Sequence, residues 1–125
     1  MKVIEITNLC KDYQRKVIKP GLGGHVQAFF SPQVTKVPAV MNCTLSVQAG
    51  ERIAFLGPNG AGKTTIFNLL TGVYKPDEGI IKLDGENITG KKAIDINKAG
   101  IARTFQNIRL FKKMTVIENV KAAMN

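Results

Sequence analysis

Gly57-Pro58-Asn59-Gly60-Ala61-Gly62-Lys63-Thr64 is the stretch around which the rest of the chain is read. It meets the phosphate-loop pattern G-x-x-x-x-G-K-[ST] at every fixed position. A triphosphate has to be wrapped by backbone N–H groups at close range, and side chains would obstruct that approach. Glycine removes the obstruction and tolerates φ > 0. A helix starting near Lys63 aims its unpaired N–H groups at the same anion. In this arrangement Lys63 sets a point charge on the β/γ-phosphates, and the Thr64 hydroxyl binds Mg²⁺. The flanks agree with it. Arg52-Ile53-Ala54-Phe55-Leu56 predicts a short buried strand entering the loop. Thr65 to Thr71 predicts a helix leaving it, stopped by Gly72. The competing reading is a glycine-rich strand-to-helix turn that binds nothing.

The chain of 125 residues is long enough for one small domain with a core, and its hydrophobic share of 44% is ordinary for a globular protein. No apolar run approaches the ~20 residues that span a bilayer. Met1-Lys2-Val3-Ile4-Glu5-Ile6 alternates and carries a glutamate, which predicts a strand rather than a signal peptide. A cytoplasmic location follows as the expectation, with membrane contact made through a partner. Cys10 and Cys43 have no motif spacing and read as reduced, partly buried small hydrophobes. A net charge of +9 admits nucleic acid, an anionic surface or an acidic ligand. The basic residues are spread out, paired only at Lys91-Lys92 and Lys112-Lys113 without interleaved aromatics, so no nucleic-acid partner is expected.

Residues 2–8 predict a strand with Ile4 and Ile6 on one face. Tyr13 just beyond it either stacks on a purine ring or covers core at an edge. Residues 14–38 hold Pro20-Gly21-Leu22-Gly23-Gly24, Phe29-Phe30-Ser31-Pro32 and Val37-Pro38, and read as a loop or insertion with one helical turn near Val26 to Phe30. His25 has no ligand-like companions and reads as a surface histidine. Ala39 to Val47 predicts a second strand, Ile80 to Leu83 a third, and Asp84-Gly85 a hairpin turn leading to Glu86-Asn87-Ile88. Lys91 to Ala99 predicts a short helix capped by Gly100, and Ile101 to Phe105 another strand ending at Gln106. A glutamine there either accepts from a metal-bound water, at the strand end where ligands bind in α/β sheets, or simply starts a loop. Thr115-Val116-Ile117-Glu118 is a capping box opening a last helix. The expected architecture is α/β, a phosphate-loop core with an antiparallel β-layer.

Three motifs now carry a resemblance. Gly57-Pro58-Asn59-Gly60-Ala61-Gly62-Lys63-Thr64-Thr65 resembles the Walker A of ABC transporter ATP-binding subunits. Tyr13 resembles that family's A-loop aromatic, which stacks on adenine. Arg103-Thr104-Phe105-Gln106 resembles its Q-loop, whose glutamine touches Mg²⁺ and water and senses the membrane partner. The order and approximate spacing match, and the resemblance covers nearly the whole chain. Gly100 to Phe111 and Met114 to Val120 closely resemble the ATPases of branched-chain amino acid importers. Tyr13 to Leu56 looks more like the ATPases of a drug-export type ABC family, so the two parts point to different cargoes. A recombined chain with a seam in the loop helix would give this pattern, and so would one divergent member.

The resemblance implies ATP and Mg²⁺ as ligands. Tyr13 would lie on adenine, Gly57 through Thr65 on the phosphates, and Thr64 and Gln106 on the metal. It implies transmembrane permease subunits and a second ATP-binding domain as partners, on the inner face of the cell membrane. Residues 107–114 would lie near the permease, and residues 115–125 would open a helical subdomain. In that family the signature loop, Walker B aspartate, catalytic glutamate and switch histidine lie downstream of the Q-loop region, and this sequence contains none of them. Residues 1–125 therefore look like a partial nucleotide-binding domain with no catalytic residue of its own, expected to bind without hydrolysing. The strand Ile53 to Leu56 would also lack its neighbours. Two alternatives remain: a non-catalytic nucleotide-binding or complementation module, and another phosphate-loop enzyme such as a kinase or GTPase, although no N-K-x-D guanine reader is present.

Overall fold

The structure, a computed structural model, describes residues 2–17, 33–107 and 109–124. Its centre is an antiparallel sheet in the order β2-β1-β3-β4. These strands are β1 (Lys2–Val17), β2 (Gln33–Gln48), β3 (Glu78–Leu83) and β4 (Glu86–Asn87). Among the described residues three helices accompany them: α1 (Lys63–Leu70), α2 (Ala93–Ala99) and α3 (Val116–Ala123).

A period of two would keep Ile4, Ile6 and residue 8 on one face of β1. Ile6 is buried as expected, but so is Leu9, which has the opposite parity. The reason is a paired irregularity. Asn8 (φ 48°) in β1 and Asn42 (φ 45°) in β2 both take the left-handed conformation, which asparagine tolerates better than most residues. The ladder shifts register between Ile6 and Leu9. Thr44 ties the defect together, its hydroxyl accepting from the Asn8 N–H at 2.9 Å. Each strand thereby swaps the parity of its inward face. On β2 the buried Val40 is followed by Cys43 and Leu45 packed against the core.

That core joins Ile6 and Leu9 of β1, Val40 of β2, Ile81 and Leu83 of β3, Leu69 of α1, Ile96 of α2 and Ile88. Each fully buried Leu or Ile side chain contributes on the order of 1.5–3 kcal/mol. The β3–β4 hairpin turns through Asp84 (φ 48°) and Gly85 (φ 81°), the doubly left-handed geometry an Asp-Gly pair favours. Gly79 lets β3 lie tightly on β1, since a Cβ there would sit 2.6 Å from the Asn8 carbonyl oxygen and the Leu9 Cα. Helix α2 ends at Gly100 (φ 119°), as read from sequence.

Three expectations need correction. β1 runs through Val17 and β2 begins at Gln33, so residues 14–17 and 33–38 of the expected loop are laddered, with Tyr13 opposite Val37 and Gln14 opposite Lys36. The helical turn expected at residues 26–30, with Phe29, Phe30 and His25, lies outside the described residues. Second, Arg52 to Leu56 is neither laddered nor buried: Ile53 is 46% and Leu56 91% exposed. Third, Ile101 to Phe105 forms no strand, and Phe105 is 66% exposed. A strand is stable only when neighbours take up its backbone groups. Among the described residues nothing lies beside these two segments in a ladder, and no parallel pair forms.

Candidate functional site

Residues 57–62 form a tight loop that delivers the chain into α1. Ala61 N–H donates to the Pro58 carbonyl at 3.2 Å, and Ile66 N–H to the Gly62 carbonyl at 3.0 Å, which closes the first helical turn. Gly62 is the N-cap in the left-handed conformation (φ 84°). A Cβ on it would lie 2.6 Å from the Ala39 carbonyl oxygen of β2. Two independent constraints, dihedral angle and proximity of β2, thus demand glycine here.

Among the described residues no side chain caps α1, and no acidic residue stands in its first turn. The first N–H groups of the helix are free to meet an anion, and the helix dipole favours negative charge at that end. The Lys63 ammonium reaches back across the loop and donates to the Gly57 carbonyl. Thr64 is exposed, and its hydroxyl has no hydrogen-bond partner among the described residues. An uncommitted hydroxyl at the second position of the helix suits a hard cation such as Mg²⁺. Pro58, Asn59, Gly60 and Ala61 are exposed along the loop crest.

Tyr13 is brought to the same place. It lies within β1 rather than beyond it, and its hydroxyl is 3.4 Å from the Thr65 hydroxyl. Gln106 is not joined to the loop directly: it is exposed, and its side chain makes no hydrogen bond among the described residues. Its segment is held one step back, where the Arg103 guanidinium donates to Asn68 of α1 at 2.6 Å and to the Thr71 hydroxyl at 3.3 Å, and lies 4.9 Å from the Phe105 ring centroid.

Sequence reasoning missed Asn68, Tyr74 and Asp77. Tyr74 packs edge-on against Tyr13. Asp77 accepts from the Asp12 N–H at 2.7 Å and from Lys11 at 3.3 Å, and the backbone bond, followed by Lys11, holds its carboxyl below the usual aspartate range. The side-chain contacts of these three residues join positions 35 or more apart, beyond the reach of local pattern. Cys10 and Cys43 are free and partly buried, as expected, and burial pushes the Cys43 thiol up.

The family model for the ABC transporter matches residues 40–125. The chain belongs to the ABC transporter family. Over 87 residues it is 51% identical to the high-affinity branched-chain amino acid transport ATP-binding protein BraF of Pseudomonas aeruginosa, covering 70% of this chain and 34% of that protein. LivG of Escherichia coli, named likewise, is 48% identical over the same share. The chain therefore spans about a third of the length of these curated relatives. Among solved structures, a nucleotide-free ATP-binding cassette from an ABC transporter is similar with a TM-score of 0.69 at 31% identity, over 96% of this chain and 39% of that one. The ADP conformation of an ABC transporter cassette gives 0.70 at 30% identity, over 94% and 38%. A dimeric bacterial ABC transporter cassette gives 0.69 at 26% identity, over 95% and 45%. The α/β fold with its antiparallel sheet is thus that of the ABC ATPase cassettes, phosphate-loop NTPases that bind nucleotide.

Proposed function

We propose that this chain grips Mg-ATP as the front part of the ATP-binding subunit of an importer of the branched-chain amino acid type. The observation that carries the reading is the Lys63 ammonium lying across the loop at the uncapped N-terminus of α1. The loop N–H groups and α1 wrap the phosphates, and Lys63 neutralises their β/γ oxygens. Thr64 and Gln106 hold Mg²⁺, which when bound offsets phosphate charge. Tyr13 stacks on adenine. The names of the relatives support the cargo class, and the dimeric cassettes support pairing with a second ATP-binding domain. Docking to permease subunits on the cytoplasmic face belongs to the same proposal; no helix among the described residues is long and apolar enough to cross a membrane.

Titration calorimetry with Mg-ATP and Mg-GTP tests it. ATP should bind in preference, and Lys63→Ala should weaken ATP about 10- to 100-fold, the worth of a charge-assisted bond. Equal affinities for wild type and variant would remove Lys63 from the phosphate site. Lys63, Thr64 and Gln106 supply grip and metal but no general base, so the 125-residue chain should bind without releasing phosphate. Turnover that Lys63→Ala abolished would overturn that part. One observation favours a second reading, a binding module completed by another polypeptide: Ile53, Leu56 and Phe105 are exposed in segments whose pattern is that of core strands.

A further inference from the structure

Tyr13 is held from two sides. Its hydroxyl meets Thr65 at the start of α1, and its ring stands against Tyr74 with centroids 5.8 Å apart and planes at 79°. This edge arrangement suits the charge distribution of two aromatic rings. The backbone fixes Tyr74 there. Its N–H donates to the Asn68 carbonyl at 3.1 Å, at the end of α1. Three residues on, Asp77 N–H donates to the Cys10 carbonyl at 3.0 Å, while its carboxylate takes the Asp12 N–H and Lys11. The segment 74–77 is therefore strapped between α1 and β1, with the Tyr74 ring presented to Tyr13. A stacking ring that is already ordered loses less freedom when a ligand arrives.

We propose that Tyr74 is a positioning residue for the base subsite, presetting the Tyr13 ring to stack on a purine. It acts on recognition of the base and not on the grip of the phosphates. This rests on the nucleotide reading above. The chain has two tyrosines and no tryptophan, so tyrosine emission reports Tyr13 and Tyr74 alone.

Calorimetry and tyrosine fluorescence with Mg-ATP, and with Mg-tripolyphosphate as the same anion without a base, test the assignment. Tyr74→Leu keeps apolar volume but removes the ring; it should weaken Mg-ATP about three- to tenfold and leave tripolyphosphate unchanged. Tyr74→Phe restores the ring and should recover wild-type ATP affinity, with its one remaining tyrosine quenched by ATP and not by tripolyphosphate. Unchanged ATP affinity in Tyr74→Leu would overturn the assignment, as would an equal loss for both ligands. The underlying reading has its own signature: if Tyr13→Leu left the preference for ATP over tripolyphosphate intact, Tyr13 itself would leave the base subsite.

Discussion

Arg103 donates to the Asn68 side-chain oxygen at 2.6 Å, joining the segment that carries Gln106 to the helix that opens at the phosphate loop. The partners are half-buried, and the guanidinium also reaches Thr71 and lies by the Phe105 ring. Lysine keeps the charge but not the planar guanidinium, one nitrogen of which bonds both Asn68 and Thr71 while its central carbon lies over the Phe105 ring. Arg103→Lys should cost about 1–2 kcal/mol in urea unfolding, and Asn68→Ala a similar amount. The double variant should cost less than their sum, because both remove one bond. Strict additivity would show that the two side chains do not work together in solution.

Gly62 and Gly85 separate the two reasons a loop needs glycine. Both have positive φ, 84° and 81°, but a Cβ at Gly85 meets open space while one at Gly62 meets the Ala39 carbonyl. Gly85→Ala should cost only the left-handed conformation, about 1–2 kcal/mol. Gly62→Ala adds a backbone clash that only separation of the loop from β2 relieves. Its loss in thermal unfolding should be clearly larger, and Mg-ATP affinity should fall with it. Equal losses would mean that β2 does not shape the loop.

The Asp77 strap sets a pH dependence. Its carboxyl is held below the ordinary aspartate value of 3.8, first by the Asp12 N–H and then by Lys11. The unfolded chain therefore takes up the proton more readily than the folded one. The strap's contribution is complete above the ordinary value and is lost as pH falls through it toward the lower folded-state value. Asp77→Asn should lower the melting midpoint at pH 7, and the gap to wild type should close between about pH 5 and pH 3. Glu86, held down by Lys91, and Glu118, held down by Thr115, shift in the same direction and keep their share of the acid dependence in both proteins. A gap that stayed constant with pH would show that the Asp77 charge plays no part.

What the sequence made legible is what neighbours within about four positions determine. The loop glycines, the Asp84-Gly85 hairpin, the Gly100 stop and the Thr115 box are all of that kind. Illegible features depend on distant pairing. The asparagines that flip the inward parity of β1 and β2 lie 34 positions apart in sequence, on two strands that pair. Residues 14–17 and 33–38 are polar and proline-marked, yet each completes the other's ladder. Ile53 to Leu56 failed in the opposite sense: its apolar pattern is strand-like, but a pattern supplies no neighbour to bond to. The site divides likewise. Lys63 and Thr64 stand in one local motif, whereas Tyr74 joins Tyr13 only through folding.

Helix α3 buries none of its side chains, so local bonds must hold it. The Thr115 hydroxyl accepts from the Glu118 N–H at 3.3 Å, and the Glu118 carboxylate takes the Thr115 N–H at 2.7 Å. Asn119 adds a second clasp, its amide donating to the carbonyls of Phe111, Met114 and Thr115 at 3.0–3.2 Å and accepting from the Phe111 N–H at 2.9 Å. Removing the cap in Thr115→Ala should cost about 1 kcal/mol, but only to α3. Hydrogen exchange should then show α3 amides opening about fivefold more often, with β1 amides unchanged. Asn119→Ala should loosen residues 111–119 further, since it takes the Met114 carbonyl's donor among the described residues and leaves those of Phe111 and Thr115 with their backbone donors alone. If either variant instead lowered protection in β1, α3 would be part of the cooperative core despite its exposure, and the picture of a locally clasped helix would be wrong.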